Sequence, residues 1–182
     1  MTVIIILATD GNLNSLIRKI KEIEKMDLPS RILIVLGKKG VEMIETIDSM
    51  YFRLTFIYVV QPVPKGSGHA IMCCLPYLKQ DDQVLILFGN ACAEAMSRMI
   101  CNKEYRYCVR VNKTTDREMR IYSLFGIVLM EQSPFLTIGK DGKYDFSDIL
   151  NLVPIEEIEI SMVSDVSDVS WCDRNAVDES PF

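Results

Sequence analysis

Residues 61–70, QPVPKGSGHA, gather two of the chain's nine glycines and its one histidine at the mouth of a helix-like run. Gly66 and Gly68 carry no Cβ and so permit close approach of backbone to a ligand. The amides of Gly66 to His69 open a helix, and amides so placed favour an anion or a carbonyl oxygen. Gln61 donates and accepts at once, which suits the edge of a nucleobase. The same residues also read as a tight turn that does no more than start a helix, and the glycine pattern alone leaves both readings open. A Ser–His–Asp or Cys–His triad would have to use His69, whose place at a helix start suits a structural hydrogen bond better. Adjacent Cys73 and Cys74 and the scattered methionines read as packing.

These residues need a scaffold, and the first half of the chain alternates strand and helix. TVIIILA is a continuous apolar run, the mark of a strand covered on both faces. NLNSLIRKIKEIEKM follows, with Leu16, Ile20 and Ile23 at helical spacing and Asn12 or Asn14 as cap. RILIVLG, RLTFIYVVQ and QVLILFG read as further strands, with GVEMIETIDSMY and GHAIMCCLPYL as the helices between them. This predicts an α/β fold: a Rossmann-like three-layer sandwich with a mostly parallel sheet. Beyond residue 90, AEAMSRMICNK reads as a helix, YRYCVRVN and MRIYSLFGIVLM as strands, SDILNLV as a short helix and EEIEISMV as a last strand. No repeat, linker or low-complexity tract divides residues 1–182, so a single domain is expected. In an open α/β sheet ligands bind beyond the carboxyl ends of the strands. Here those ends are LATDGN (7–12), LGKKG (36–40), the glycine loop and LFGN (87–90).

The stretch QPVPKGSGHAIMCCLPYLKQDDQVLILFGN resembles the core of the sugar-1-phosphate nucleotidyltransferases, most closely the uridyltransferase domain that makes UDP-N-acetylglucosamine. That family carries a Gln, a four-residue spacer, Gly-Thr-Gly-His-Ala, a helix, an acidic pair, an apolar strand and Tyr-Gly-Asp. The spacing is kept here, with Ser67 for Thr and Phe88-Gly89-Asn90 for Tyr-Gly-Asp. ILIVLGKKGVEMIETI is similar to the family's second strand and helix, so the likeness covers about residues 31–95. It implies that Gln61, Gly66 and Ser67 bind uracil, with Leu7 and Ala8, the start of the family's opening signature, also at the nucleotide. It implies transfer of a uridylyl group from UTP to N-acetylglucosamine 1-phosphate, with Mg²⁺ as cofactor and nucleotide and sugar phosphate as small-molecule partners.

The departures open a second reading. The family's opening signature continues into a glycine loop with an Arg and then a Pro-Lys, and these cations neutralise the triphosphate. In ATDGNLNSLIRK, Asp10 stands where the family has glycine and Asn14 where the Arg belongs. Arg18 and Lys19 are the nearest cations and read as solvated helix charges. The family's metal-binding aspartate is Asn90 here. WCDRNA in the tail is weakly similar to the family's late metal-ligand motif and would place Asp173 at the second ligand, an exchange of Asn and Asp; Asp10 is the competing carboxylate. In the acceptor-sugar region Gly126 matches while Leu124 replaces an Asn. No catalytic residue is assured, and the alternative is a catalytically degenerate module that binds a nucleotide or nucleotide sugar.

The totals fit either reading. At 182 residues with 49% apolar and 25% charged side chains the chain is expected to be an ordinary globule. Net charge −5 gives no basic field for nucleic acid or an anionic membrane. No apolar run reaches the roughly 18–20 residues of a membrane helix. MTVIIILATDG lacks the basic start and cleavage site of a signal peptide and reads as a buried strand. The six cysteines form no CxxC pair and read as reduced thiols of a cytoplasmic protein.

Overall fold

The structure is a computed structural model that describes residues 1–27, 30–50, 52–89, 93–101, 107–112, 119–125, 142–144, 146 and 158–162. Among the described residues seven strands form one sheet: β1 (Thr2–Ala8), β2 (Ser30–Gly37), β3 (Phe56–Gln61), β4 (Gln83–Gly89), β5 (Tyr107–Asn112), β6 (Met119–Phe125) and β7 (Ile158–Met162). Their order across the sheet is β3-β2-β1-β4-β6-β5-β7. β1 lies between β2 and β4, parallel to both, with Ile4 opposite Ile32 on one side and Leu85 on the other. β3 extends the parallel set beyond β2, and among the described strands β6 alone is reversed, antiparallel to β4 and β5. This is the mostly parallel Rossmann-like sandwich that the strand–helix alternation predicts.

Among the described residues four helices complete the layers: α1 (Leu13–Glu24), α2 (Glu42–Ser49), α3 (Gly66–Met72) and α4 (Ala93–Cys101). The two-residue period of the strands sorts the core onto two faces. Ile4, Ile6, Ile32, Ile34, Leu85 and Leu87 pack with Leu16 and Ile20 of α1, Met43 and Ile47 of α2, and Met96 and Met99 of α4. Val3, Ile5, Leu33, Val35, Val84 and Ile86 face the other way, against Ala70 and Ile71 of α3, Cys74 and Phe146. Each fully buried Ile or Leu contributes about 1.5–3 kcal/mol of transfer free energy, which is why runs with no polar residue become the central strands.

Two helix boundaries differ from the periodicity. GHAIMCCLPYL reads as one helix, yet α3 stops at Met72 and a separate 3₁₀ turn spans Leu75–Tyr77. Pro76 lacks the N–H that a continuing helix would need and its ring clashes with the preceding turn. α2 likewise begins only after a 3₁₀ turn over Lys38–Val41. The short helix expected at SDILNLV lies outside the described residues.

The chain steps from β1 to β2 to β3 along one flank, then returns so that β4 pairs with the opposite side of β1. The order therefore reverses between β1 and β4, and the crevice beyond their carboxyl ends is where an open α/β sheet receives a ligand. Asp82 fastens the opposite, amino edge. It is 1% exposed. Its Oδ2 accepts from Arg31 Nη2 at 2.7 Å and from the Lys79 amide at 2.8 Å.

Candidate nucleotide-binding site

β3 delivers Gln61 to the carboxyl edge of the sheet, and five residues later Gly66 opens α3. Gln61 is 2% exposed. Its Nε2 donates to Gly66 O at 2.9 Å and lies 3.0 Å from His69 Nδ1. With both amide hydrogens so placed, Nδ1 is the acceptor and the imidazole proton sits on Nε2. Burial lowers the His69 pKa, and the Lys65 cation lowers it further, so the neutral ring that this bond requires is the favoured one. Among the described hydrogen bonds none uses Gln61 Oε1, which leaves that atom for a ligand's donor.

A remote segment clamps the loop. The Gly68 amide donates to Tyr144 O at 3.0 Å, and the Tyr144 amide donates to Lys65 O at 2.8 Å. The Phe146 amide donates to Ser67 Oγ at 3.1 Å. The Tyr144 ring stacks on His69 with centroids 6.2 Å apart, and the Phe146 ring on Phe88 at 5.5 Å. Gly66 has φ +88°, and a Cβ there would stand 2.4 Å from Tyr144 O. The glycine at 66 thus meets a need internal to the fold: a positive φ under an approaching backbone. The amides of Gly66 and Ser67 have no acceptor among the described residues, so they remain for a ligand.

The β1 end is built tightly. The Gly11 amide donates to Ala8 O at 3.3 Å. Asp10 Oδ1 accepts from the Asn12 amide at 3.1 Å, and Asn12 Oδ1 accepts from the Ser15 amide at 3.0 Å. Asn12 is therefore the cap, and only residues 9–12 separate β1 from α1. Ala8 is buried, Leu7 half-buried and Asp10 exposed. Asn14, where the resemblance puts the family's Arg, is exposed in the first turn of α1.

Lys19 departs from the sequence expectation. It is 5% exposed, not a solvated helix charge. The reason is geometric: residue 19 follows Leu16 by three and precedes Ile23 by four, so it lies on the stripe that α1 turns to the sheet. Its Nζ donates to Leu7 O at 3.4 Å. Burial lowers its pKa, and the Asp10 carboxylate opposes that shift only in part. Arg18 is exposed, as expected. Asn90, Gly126 and Asp173 lie outside the described residues. Among the described residues no group of three or more His, Cys, Asp or Glu side chains is arranged for a metal.

Comparison with known proteins places this geometry. No family profile matches the chain. The bifunctional protein GlmU of Nitrosococcus oceani is 36% identical over 62 residues, 34% of this chain and 13% of the relative. GlmU of Francisella tularensis subsp. novicida is 39% identical over 74 residues, 39% of this chain and 14% of the relative. Among solved structures, a Bacillus anthracis protein assigned as a glucose-1-phosphate thymidylyltransferase, crystallised with sucrose, superimposes with a TM-score of 0.64 at 16% identity, over 90% of this chain and 87% of the other. The 4-diphosphocytidyl-2C-methyl-D-erythritol synthase of Anaerococcus prevotii gives 0.66 at 12% identity, over 89% and 88%. Over about a third of its length this chain is similar to GlmU, and its fold is that of the solved nucleotidyltransferases. It spans about one seventh of the length of the curated relatives it matches. The solved nucleotidyltransferase structures share its fold across nearly the whole chain.

The sequence reading missed two features of the site. Lys19 was hidden by its residue type, although its spacing from Leu16 placed it on the buried face. The 142–146 clamp had a faint local signal in GKYDF, where Tyr144 and Phe146 alternate as on an extended segment. No described helix is long and apolar enough to cross a membrane.

Proposed function

We propose that the chain binds a uridine nucleotide beyond β1 and β4 and transfers its uridylyl group to N-acetylglucosamine 1-phosphate, forming UDP-N-acetylglucosamine. One observation carries the reading: Gln61, buried at the end of β3, fixes its Nε2 on Gly66 O and His69 Nδ1, and among the described hydrogen bonds its Oε1 and the Gly66 and Ser67 amides are unused, one acceptor and two donors. That set complements the uracil edge, whose N–H is flanked by two carbonyls. Leu7 and Ala8, at the end of β1, would form the neighbouring wall.

In the reaction an oxygen of the sugar phosphate attacks the α-phosphorus of UTP, a new P–O bond forms, the α–β bond breaks, and pyrophosphate leaves. The chain's part is to hold the base and so fix the α-phosphorus for in-line attack. Mg²⁺ would supply neutralisation of phosphate charge. Asn90 with Asp173 is the proposed ligand pair; Asp10, exposed at the end of β1, is the competing carboxylate and alone would leave Mg²⁺ waters and substrate oxygens as its other ligands.

The four-residue connection between β1 and α1 favours a second reading. It leaves no glycine loop to carry the family's Arg and Lys, which suits a module that binds a nucleotide or nucleotide sugar without turnover. Incubation with UTP, Mg²⁺ and N-acetylglucosamine 1-phosphate, with pyrophosphate as the readout, separates the two. Release of pyrophosphate that requires the sugar phosphate supports the transferase. Saturable UTP binding with no release supports the module. Absence of both sinks the uridine reading.

A further inference from the structure

We infer that Lys19 is an anion-binding residue: its buried ammonium, held on the Leu7 carbonyl at the β1 end of the crevice, contacts a phosphate oxygen of the bound ligand. The inference rests on the nucleotide reading for the ligand's identity, but its support is separate from the glycine loop. An ammonium has three donors. Lys19 spends one on Leu7 O, at a long 3.4 Å. No carboxylate among the described residues lies within ion-pair distance of it. The nearest acidic influence, Asp10, turns Oδ1 to the Asn12 amide. A lysine more than nine-tenths buried with one weak acceptor is a costly arrangement, because a desolvated charge needs compensating partners.

The place of the amine suggests what completes it. Leu7 O belongs to the penultimate residue of β1, next to the point where strand order reverses. Residues 9–12 follow at the end of β1, and Thr9, Asp10, Gly11 and Asn12 are all exposed. A Cβ added at Gly11 would meet nothing within 4 Å, so the turn borders open space. Phosphate oxygens suit the amine in charge and acceptor number, and no described carboxylate lies within ion-pair distance of it. Burial lowers the Lys19 pKa and Asp10 only partly opposes it, which agrees with an amine that has no described carboxylate within ion-pair distance. Arg18 and Lys21, on the same helix, are exposed and give the site no buried charge.

Calorimetric titration of inorganic tripolyphosphate, UTP and uridine into the wild type, Lys19→Met and Lys19→Arg tests the inference. Lys19→Met is expected to fold with a melting temperature no lower than wild type, since it replaces an under-compensated charge with an apolar chain of similar length. It should weaken tripolyphosphate and UTP by about ten-fold or more, the worth of one charged hydrogen bond, and leave uridine unchanged. Lys19→Arg should retain most of the anion affinity. Equal tripolyphosphate binding by wild type and Lys19→Met overturns the inference, and so does no binding to the wild type. A large fall in the melting temperature of Lys19→Met also overturns it, by showing the amine to be a structural bond. Lys19-dependent tripolyphosphate binding without any uridine binding upholds the anion site while sinking the uridine reading. Uridine binding with Lys19-independent phosphates does the reverse.

Discussion

Gln61 and His69 hold each other in one protonation state. The Gln61 amide donates to His69 Nδ1 at 3.0 Å while its other hydrogen is taken by Gly66 O. The amide cannot turn over without placing its oxygen against the Gly66 carbonyl. His69 must then accept at Nδ1 and carry its proton on Nε2.

His69 is the only histidine, so its ring resonances need no assignment. Nitrogen-15 spectra are expected to show the Nε2–H tautomer and a pKa below the ordinary value of about 6.5, the direction set by burial and by Lys65. In Gln61→Glu a carboxylate would face Nδ1 and accept only, which draws a proton onto that nitrogen and raises the pKa. An Nδ1–H tautomer in the wild type, or no upward shift in Gln61→Glu, would contradict the pairing. The same pKa sets a stability trend. The folded imidazole holds its proton more weakly than the unfolded one, so the unfolded chain binds more protons as pH drops below about 6.5. The stabilisation is whole above that pH and is lost as pH falls through the folded pKa. Urea midpoints at pH 7.5 and 5.5 should differ more for the wild type than for His69→Gln.

Gly66→Ala should be more costly than Gly142→Ala. Both glycines have positive φ, +88° and +75°, but a Cβ at 142 meets nothing within 4 Å, whereas one at 66 meets the Tyr144 carbonyl. Gly142→Ala therefore isolates the backbone term, about 1–2 kcal/mol. Gly66→Ala adds a clash with backbone that cannot rotate away, about 1–3 kcal/mol more. Equal urea midpoints for the two variants would mean that the clamp moves aside freely.

Asp82 offers a test of the opposite edge of the sheet. Removing it leaves Arg31 without its 2.7 Å partner and the Lys79 amide without an acceptor. Asp82→Ala is expected to cost about 3 kcal/mol, the low end for breaking a buried ion pair, because Arg31 keeps some contact with water. Asp82→Asn, which can still accept from the Lys79 amide, should cost less. Denaturant unfolding with matched slopes would show the ranking, and an Asn variant as unstable as the Ala variant would assign the whole effect to charge.

The parts of this molecule that were legible in the sequence are those fixed by local pattern. TVIIILA and QVLILFG became β1 and β4 because an uninterrupted apolar run has no solvent face to offer. Asn12 could be read as a cap because its side chain reaches an amide only three residues on. The clamp was not legible, because Phe146 meets Ser67 across 79 residues of sequence and no local period records such a contact. Lys19 was misread for a different reason. Its spacing puts it on the buried stripe, but lysine is so seldom buried that residue type points to solvent. The glycine at 66 shows a third case. Its spacing from Gln61 matched a nucleotide loop, and the structure adds that Tyr144 requires that glycine whether or not a base binds.

Gln61→Ala should therefore act on fold and ligand together. The truncation removes two hydrogen bonds, to Gly66 O and His69 Nδ1, and costs about 1–3 kcal/mol of stability when those acceptors stay buried. It also removes Oε1, the acceptor proposed for the uracil N–H. Calorimetry with UTP, UDP and UDP-N-acetylglucosamine, with ATP as the control, should show the wild type preferring uridine nucleotides and Gln61→Ala losing that preference. Gln61→Glu distinguishes the two roles. It keeps an acceptor for the base yet loses both donors inside the loop, so it should be destabilised while retaining a measurable uridine preference. If ATP binds as well as UTP to the wild type, the loop does not read the base. Gly66, Ser67 and Gln61 would then be left as the mount on which Tyr144 and Phe146 are fixed.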